Sequence, residues 1–177
     1  MQSVKDAGYD ITGKTITVMG AGGAATAICA QAALDRVEAI HIFARRTSRF
    51  WERTEKLVEN INSTLPCRAV LHENENKKAL KEAVSQSTLL LNATSVGMAP
   101  NIDASIVSDT SLYRPNLIVS DVIYNPKETR FLREAKEAGC RTFNGMYMLL
   151  YQGAEAFRLW TGQDMPVQEI KAKYFSE

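Results

Sequence analysis

Apolar runs of strand length alternate along the chain with helix-length amphipathic segments. Runs at 15–20 (TITVMG), 39–44 (AIHIFA), 68–71 (RAVL), 87–91 (STLLL), 117–122 (LIVSDV) and 141–143 (RTF) read as strands. Several are apolar on consecutive residues, as strands covered on both faces are. Helices are predicted at 23–35, 48–62, 76–85, in the segment after Asn125, at 147–160 and at 166–175. Thr47 and Ser48 can cap the second of these. For the fourth, Asn125 suits the N-cap, Pro126 the first helical position and Gly139 the residue just past the end. Strands alternating with helices imply βαβ units, so the fold class is α/β: a Rossmann-like, doubly wound parallel sheet.

Two segments fall outside that alternation. Residues 72–78 (HENENKK) are polar and read as a solvated turn into a helix. Residues 99–116 form the longest irregular stretch, and its place after a strand makes it a candidate active-site rim. VKDAG near the start reads as the tail of a helix closed by Gly8, from which a preceding part is expected.

Composition narrows the picture. The chain has 177 residues, 45% hydrophobic and 23% charged, the profile of one globular domain spanning 1–177. A net charge of +1 gives no footprint for nucleic acid or an acidic membrane. No apolar run approaches the ~20 residues of a membrane helix, and MQSVKDAGYD has no apolar signal core. A cytoplasmic location is expected. Cys29, Cys67 and Cys140 are widely spaced and read as reduced, packed thiols. His41 and His72 lack metal-ligand spacing, and no metal site is expected.

The candidate chemistry begins at Gly20-Ala21-Gly22-Gly23-Ala24-Ala25, which follows a strand and opens a helix. It fits G-x-G-x-x-[GA]. Gly20 permits the tight turn, Gly22 lets backbone approach a pyrophosphate, and Ala25 keeps helix close to strand. The free N–H groups of the helix start favour an anion. The alternative is a tight structural turn. Dinucleotide sites for NAD carry an acid at the end of the second strand, ~20 residues on. Here the chain reads Phe43-Ala44-Arg45-Arg46-Thr47-Ser48, with no acid. Two guanidiniums and two hydroxyls suit a 2′-phosphate, so NADP is the expected cofactor. The alternative is a solvated basic loop.

GAGGAA (20–25), ARRTS (44–48), NATSVGM (92–98), DVIYNP (121–126) and NGMYMLLYQGAEAF (144–157) together resemble the shikimate/quinate dehydrogenase family. Their order and spacing match its C-terminal, NADP-binding domain over nearly the whole chain. The resemblance implies that Asn92, Thr94, Ser95 and Val96 run under the cofactor, with Thr94 and Ser95 near a ribose. It sets Gly145 and Met148 beside the nicotinamide, where a missing Cβ and a soft side chain allow close approach. Tyr124 and Gln152 match substrate-binding positions; the alternatives are a half-buried aromatic and a solvent-facing helix glutamine. Asp121 reads as structural. Ala44 departs from the family's common asparagine, which would weaken cofactor affinity. Thr47 stands where some NAD-accepting relatives carry an acid.

The resemblance further implies that catalytic lysine and aspartate residues, and the serines that hold the substrate carboxylate, belong to an N-terminal domain without counterpart here. The isolated chain is expected to bind NADP without turnover, and to take shikimate or quinate only with that domain. An uncovered docking face would favour self-association, so a homo-oligomer is among the expectations. Short-chain dehydrogenases need Tyr-x-x-x-Lys, and no tyrosine here has lysine four residues on. A non-catalytic NADP-binding module and a different reductase on the same core remain as alternatives.

Overall fold

The computed structural model describes residues 1–175. It holds six parallel strands: β1 (Thr15–Met19), β2 (Ala39–Ala44), β3 (Arg68–Glu73), β4 (Leu89–Asn92), β5 (Ile118–Asp121) and β6 (Arg141–Phe143). Their order across the sheet is β3-β2-β1-β4-β5-β6. Ile16 of β1 stands opposite Ile40 on one side and Leu89 on the other. The strand order reverses between β1 and β4, and that reversal opens a crevice at the carboxyl ends of the strands.

Side chains alternate across the sheet and both faces are covered. Ile16, Val18, Ile40, Ile42, Leu89 and Leu91 face a layer that includes α2 (Gly23–Leu34) and α3 (Trp51–Thr64). Ala25, Cys29 and Ala32 of α2 are buried there, and their small volume lets the helix lie close to the strands. Burial pushes the Cys29 thiol up to about 12, which leaves it an inert packing group. Met19, Phe43, Leu90 and Val119 point the other way, against α4 (Lys77–Gln86) and α5 (Arg130–Glu137). Each such aliphatic or aromatic side chain contributes roughly 1.5–3 kcal/mol through burial. This is the doubly wound α/β arrangement anticipated from the alternating pattern.

Two helix starts differ from the sequence reading. α3 begins at Trp51, three residues later than expected, and neither Thr47 nor Ser48 caps it. The Ser48 hydroxyl instead accepts from the Phe50 N–H two residues ahead, a local turn that delays the helix. α5 begins at Arg130 with Thr129 as its cap, rather than at Asn125-Pro126. The Asp121 carboxylate accepts from the Thr129 hydroxyl at 2.8 Å and from the Ile123 N–H at 2.9 Å, which holds 121–129 as a loop over the end of β5. The far end of α5 follows expectation, with Gly139 at φ +82°.

At the chain start, α1 (Gln2–Asp6) is closed by Gly8 at φ +82°. It packs on α6 (Met146–Thr161), where Tyr151 donates to Asp6, and α7 (Val167–Tyr174) adds Lys171 to the same carboxylate at 3.0 Å. On the paired strands β2 and β3, His41 Nδ1 and His72 Nε2 lie 3.0 Å apart, and Phe43 stacks on His72 with ring centres 4.6 Å apart. Among the described residues no helix is long and apolar enough to cross a membrane, and no group of three or more His, Cys, Asp or Glu could hold a metal.

Candidate functional site

A cleft of about 930 Å³ lies over the carboxyl ends of the strands. The loops after β1, β2, β4 and β5 line it, which places it at the reversal of strand order. Its floor is the glycine turn. Gly20 sits at φ +120°, where L side chains rarely go, and a Cβ there would lie 2.8 Å from the Ala93 carbonyl oxygen. The loop after β4 therefore presses directly on the turn, and only glycine fits between them. Gly22 caps α2, and a Cβ on it would meet nothing within 4 Å. That open space lies at the start of α2, whose first N–H groups have no partner within the helix and no side-chain cap, an arrangement that can receive an anion.

The wall after β4 is organised from below by Asn92. Its Oδ1 accepts from the Thr94 N–H at 3.0 Å and the Thr94 hydroxyl at 2.7 Å. Its Nδ2 donates to the Val96 carbonyl and to both oxygens of Asp121. Asn92 is wholly buried, so it shapes the loop while Thr94, Ser95 and Val96 line the cleft. Asp121 completes this network from β5. Burial pushes its carboxyl above the usual range, against the pull of the N–H and O–H groups that donate to it.

At the end of β2 the paired arginines separate. Arg45 lines the cleft, and its guanidinium has no ion-pair or hydrogen-bond partner among the described residues. Arg46 lies over the Trp51 ring at 4.7 Å, and its Nη1 is 3.4 Å from Glu55 Oε1. Thr47 is exposed beside them and does not line the cleft.

The structure thus gathers Gly20, Ala21, Gly22, Gly23, Ala24, Arg45, Thr94, Ser95 and Val96 around one cleft, with Tyr124 at the rim, 45% exposed. Gly145, Met148 and Gln152 stand outside its lining. A Cβ on Gly145 would fall 1.9 Å from the Val122 carbonyl oxygen, so backbone packing already requires this glycine. Met148 packs half-buried against the core, and Gln152 is exposed one turn further along α6.

Sequence reading missed Phe50 and Asn74, which line the cleft beside Arg45. Asn74 directly follows β3, and the rule that ligands bind past strand ends applied to it as much as to its neighbours. It also missed Arg49 and Arg53, whose guanidiniums lie 4.7 and 4.6 Å from the Phe50 ring centre. Their i, i+4 spacing around an aromatic was the available signal.

Comparison with known proteins agrees with this geometry. Residues 145–173 match the family described as the shikimate 5′-dehydrogenase C-terminal domain. Over 175 residues the chain is 49% identical to shikimate dehydrogenase (NADP(+)) of Listeria monocytogenes, covering 99% of this chain and 60% of that protein. Among solved structures, the shikimate 5-dehydrogenase of Listeria monocytogenes in complex with shikimate and NAD superposes with a TM-score of 0.92 at 49% identity, over 97% of this chain and 59% of that one. The Thermus thermophilus shikimate 5-dehydrogenase in complex with NADP(H) and shikimate gives 0.74 at 33% identity, over 97% and 57%. The chain spans about 60% of the length of the curated relatives it matches.

Proposed function

We propose that this chain belongs to the shikimate dehydrogenase family and that residues 1–177 are the NADP(H)-binding domain of an enzyme interconverting 3-dehydroshikimate and shikimate. Bound NADPH supplies the hydride for such a reduction. The chain's own residues bind and orient. N–H groups of Gly22 and Gly23, with Gly20, Ala21 and Ala24 shaping the turn, hold the diphosphate. Arg45 takes the 2′-phosphate, with Arg46 and Thr47 flanking it. Thr94, Ser95 and Val96 follow the ribose, on a loop fixed by Asn92. Gly145 and Met148 serve the nicotinamide end, and Tyr124 and Gln152 the substrate side.

The observation that carries this reading is the placement of an unpartnered Arg45 in the same cleft as the glycine turn and the Thr94–Val96 wall. Moving a hydroxyl proton needs a general acid or base. Among the described residues, the cleft is lined by no carboxylate, lysine or histidine. In this reading the general acid and base come from residues outside the cleft. A second reading, a non-catalytic nucleotide-binding module, draws on the same lack. In this reading the choice between shikimate and quinate is likewise made by residues outside the cleft. The three buried thiols, none in a disulfide, suit a reducing compartment, and the cytoplasm is the location that goes with this function.

Calorimetric titration with NADP and NAD tests the cofactor assignment. Both are expected to bind, NADP more tightly, and the chain alone is expected not to oxidise shikimate. No uptake of either nucleotide, or a preference for NAD, would overturn the assignment. Turnover by the chain alone would refute the need for a further part.

A further inference from the structure

One arginine unaccounted for by the nucleotide contacts above reaches the glycine turn from α3. Arg53 Nη2 donates to the Ala21 carbonyl at 3.3 Å and to the Thr26 hydroxyl at 3.1 Å. That hydroxyl donates in turn to the Gly22 carbonyl at 3.1 Å. The guanidinium is steadied by the Phe50 ring, 4.6 Å away. One charged group on α3 thus holds both the middle of the turn and the first turn of α2.

The peptide plane gives these contacts a meaning. The Ala21–Gly22 bond is trans. In a trans peptide the C=O and the following N–H point in opposite directions. Drawing the Ala21 oxygen toward Arg53 therefore turns the Gly22 N–H away from α3. Ala21 and Gly22 both line the cleft, and the space beside Gly22 is open. We propose that Arg53 is a positioning residue that aims the Gly22 N–H at the cofactor diphosphate. The proposal rests on the cofactor reading above and deepens it. Arg53 acts on the part that NADP and NAD share, whereas Arg45 acts on the 2′-phosphate that distinguishes them.

The test compares the wild-type chain with R53A and R53K, titrated with NADP, NAD and adenosine 2′-monophosphate, which has no diphosphate. R53A is expected to weaken NADP and NAD by the same factor, roughly five- to tenfold for one aligned N–H donor. It should leave adenosine 2′-monophosphate binding unchanged. In ¹⁵N–¹H spectra the Gly22 amide signal should move in R53A and lose its response to NADP. R53K keeps the charge and a donor, so it should recover part of the loss and remains informative if R53A folds poorly. Wild-type affinity for both dinucleotides in R53A, a loss confined to NADP, or an unmoved Gly22 amide would each overturn the proposal while leaving the cofactor reading intact. A wild-type chain that binds neither dinucleotide would sink both.

Discussion

Arg45 and Arg46 are neighbours in sequence with the same side chain, yet they meet different surroundings. Glu55 Oε1 accepts from Trp51 Nε1 at 2.7 Å and from Arg46, which also covers the indole. Arg46 is thus engaged on α3 while Arg45 faces the cleft. R45A is expected to weaken NADP binding by about 1.5–3 kcal/mol, the range for a hydrogen bond to a charged group, and to leave NAD nearly unchanged. R46A should have a smaller effect. Parallel titrations of the two variants measure the contrast, and an equal loss in both would contradict the division of roles. Sequence could not separate the two arginines. The separation depends on Trp51 and Glu55, whose reach follows from where α3 begins, and the Ser48 turn shifts that start.

Among the secondary-structure elements, the strands were legible because consecutive apolar residues leave few options in a chain of this length. The helix starts were less so, since they follow from loop contacts, Ser48 with Phe50 and Thr129, itself the cap of α5, with Asp121. Asp121, which draws Thr129 into the loop ahead of α5, is eight residues away and buried. The paired strands β2 and β3 hold a further feature that spacing alone did not reveal, the His41–His72 contact. Burial lowers both imidazoles below their ordinary 6.5, and for His41 the neighbouring His72 and Arg68 add to that. A group whose pKa is depressed on folding contributes stability above its unfolded pKa, and that contribution is lost as pH falls through the folded value. Unfolding free energy should therefore decline as pH falls from 7 to 5, before most carboxylates titrate. The double variant H41Q/H72Q should show a flatter profile. Denaturant melts of both proteins at pH 7.5, 6.5 and 5.5 check this, and parallel profiles would argue against it.

At the scale of the whole molecule, five of the nine exposed large hydrophobic side chains among the described residues lie on the last two helices. On α6, Trp160 is 85% exposed and Leu159 70%, and Tyr174 of α7 is 65% exposed. Apolar patches of this kind favour association. The chain is expected to show concentration-dependent self-association in sedimentation velocity, and W160E should shift it toward monomer. A single unchanging species across the concentration range would count against that. This expectation was legible only through the resemblance, because helical periodicity does not say which faces stay uncovered.

The buried Asn92–Asp121–Thr129 network joins the loops after β4 and β5 into one block. The Arg45 segment is held by different contacts, the Ser48 turn and the reach of Arg46 to Trp51 and Glu55. Nucleotide preference can accordingly drift, or be engineered, by grafting residues 45–55 together, because the block that joins the loops after β4 and β5 is built from a separate set of bonds.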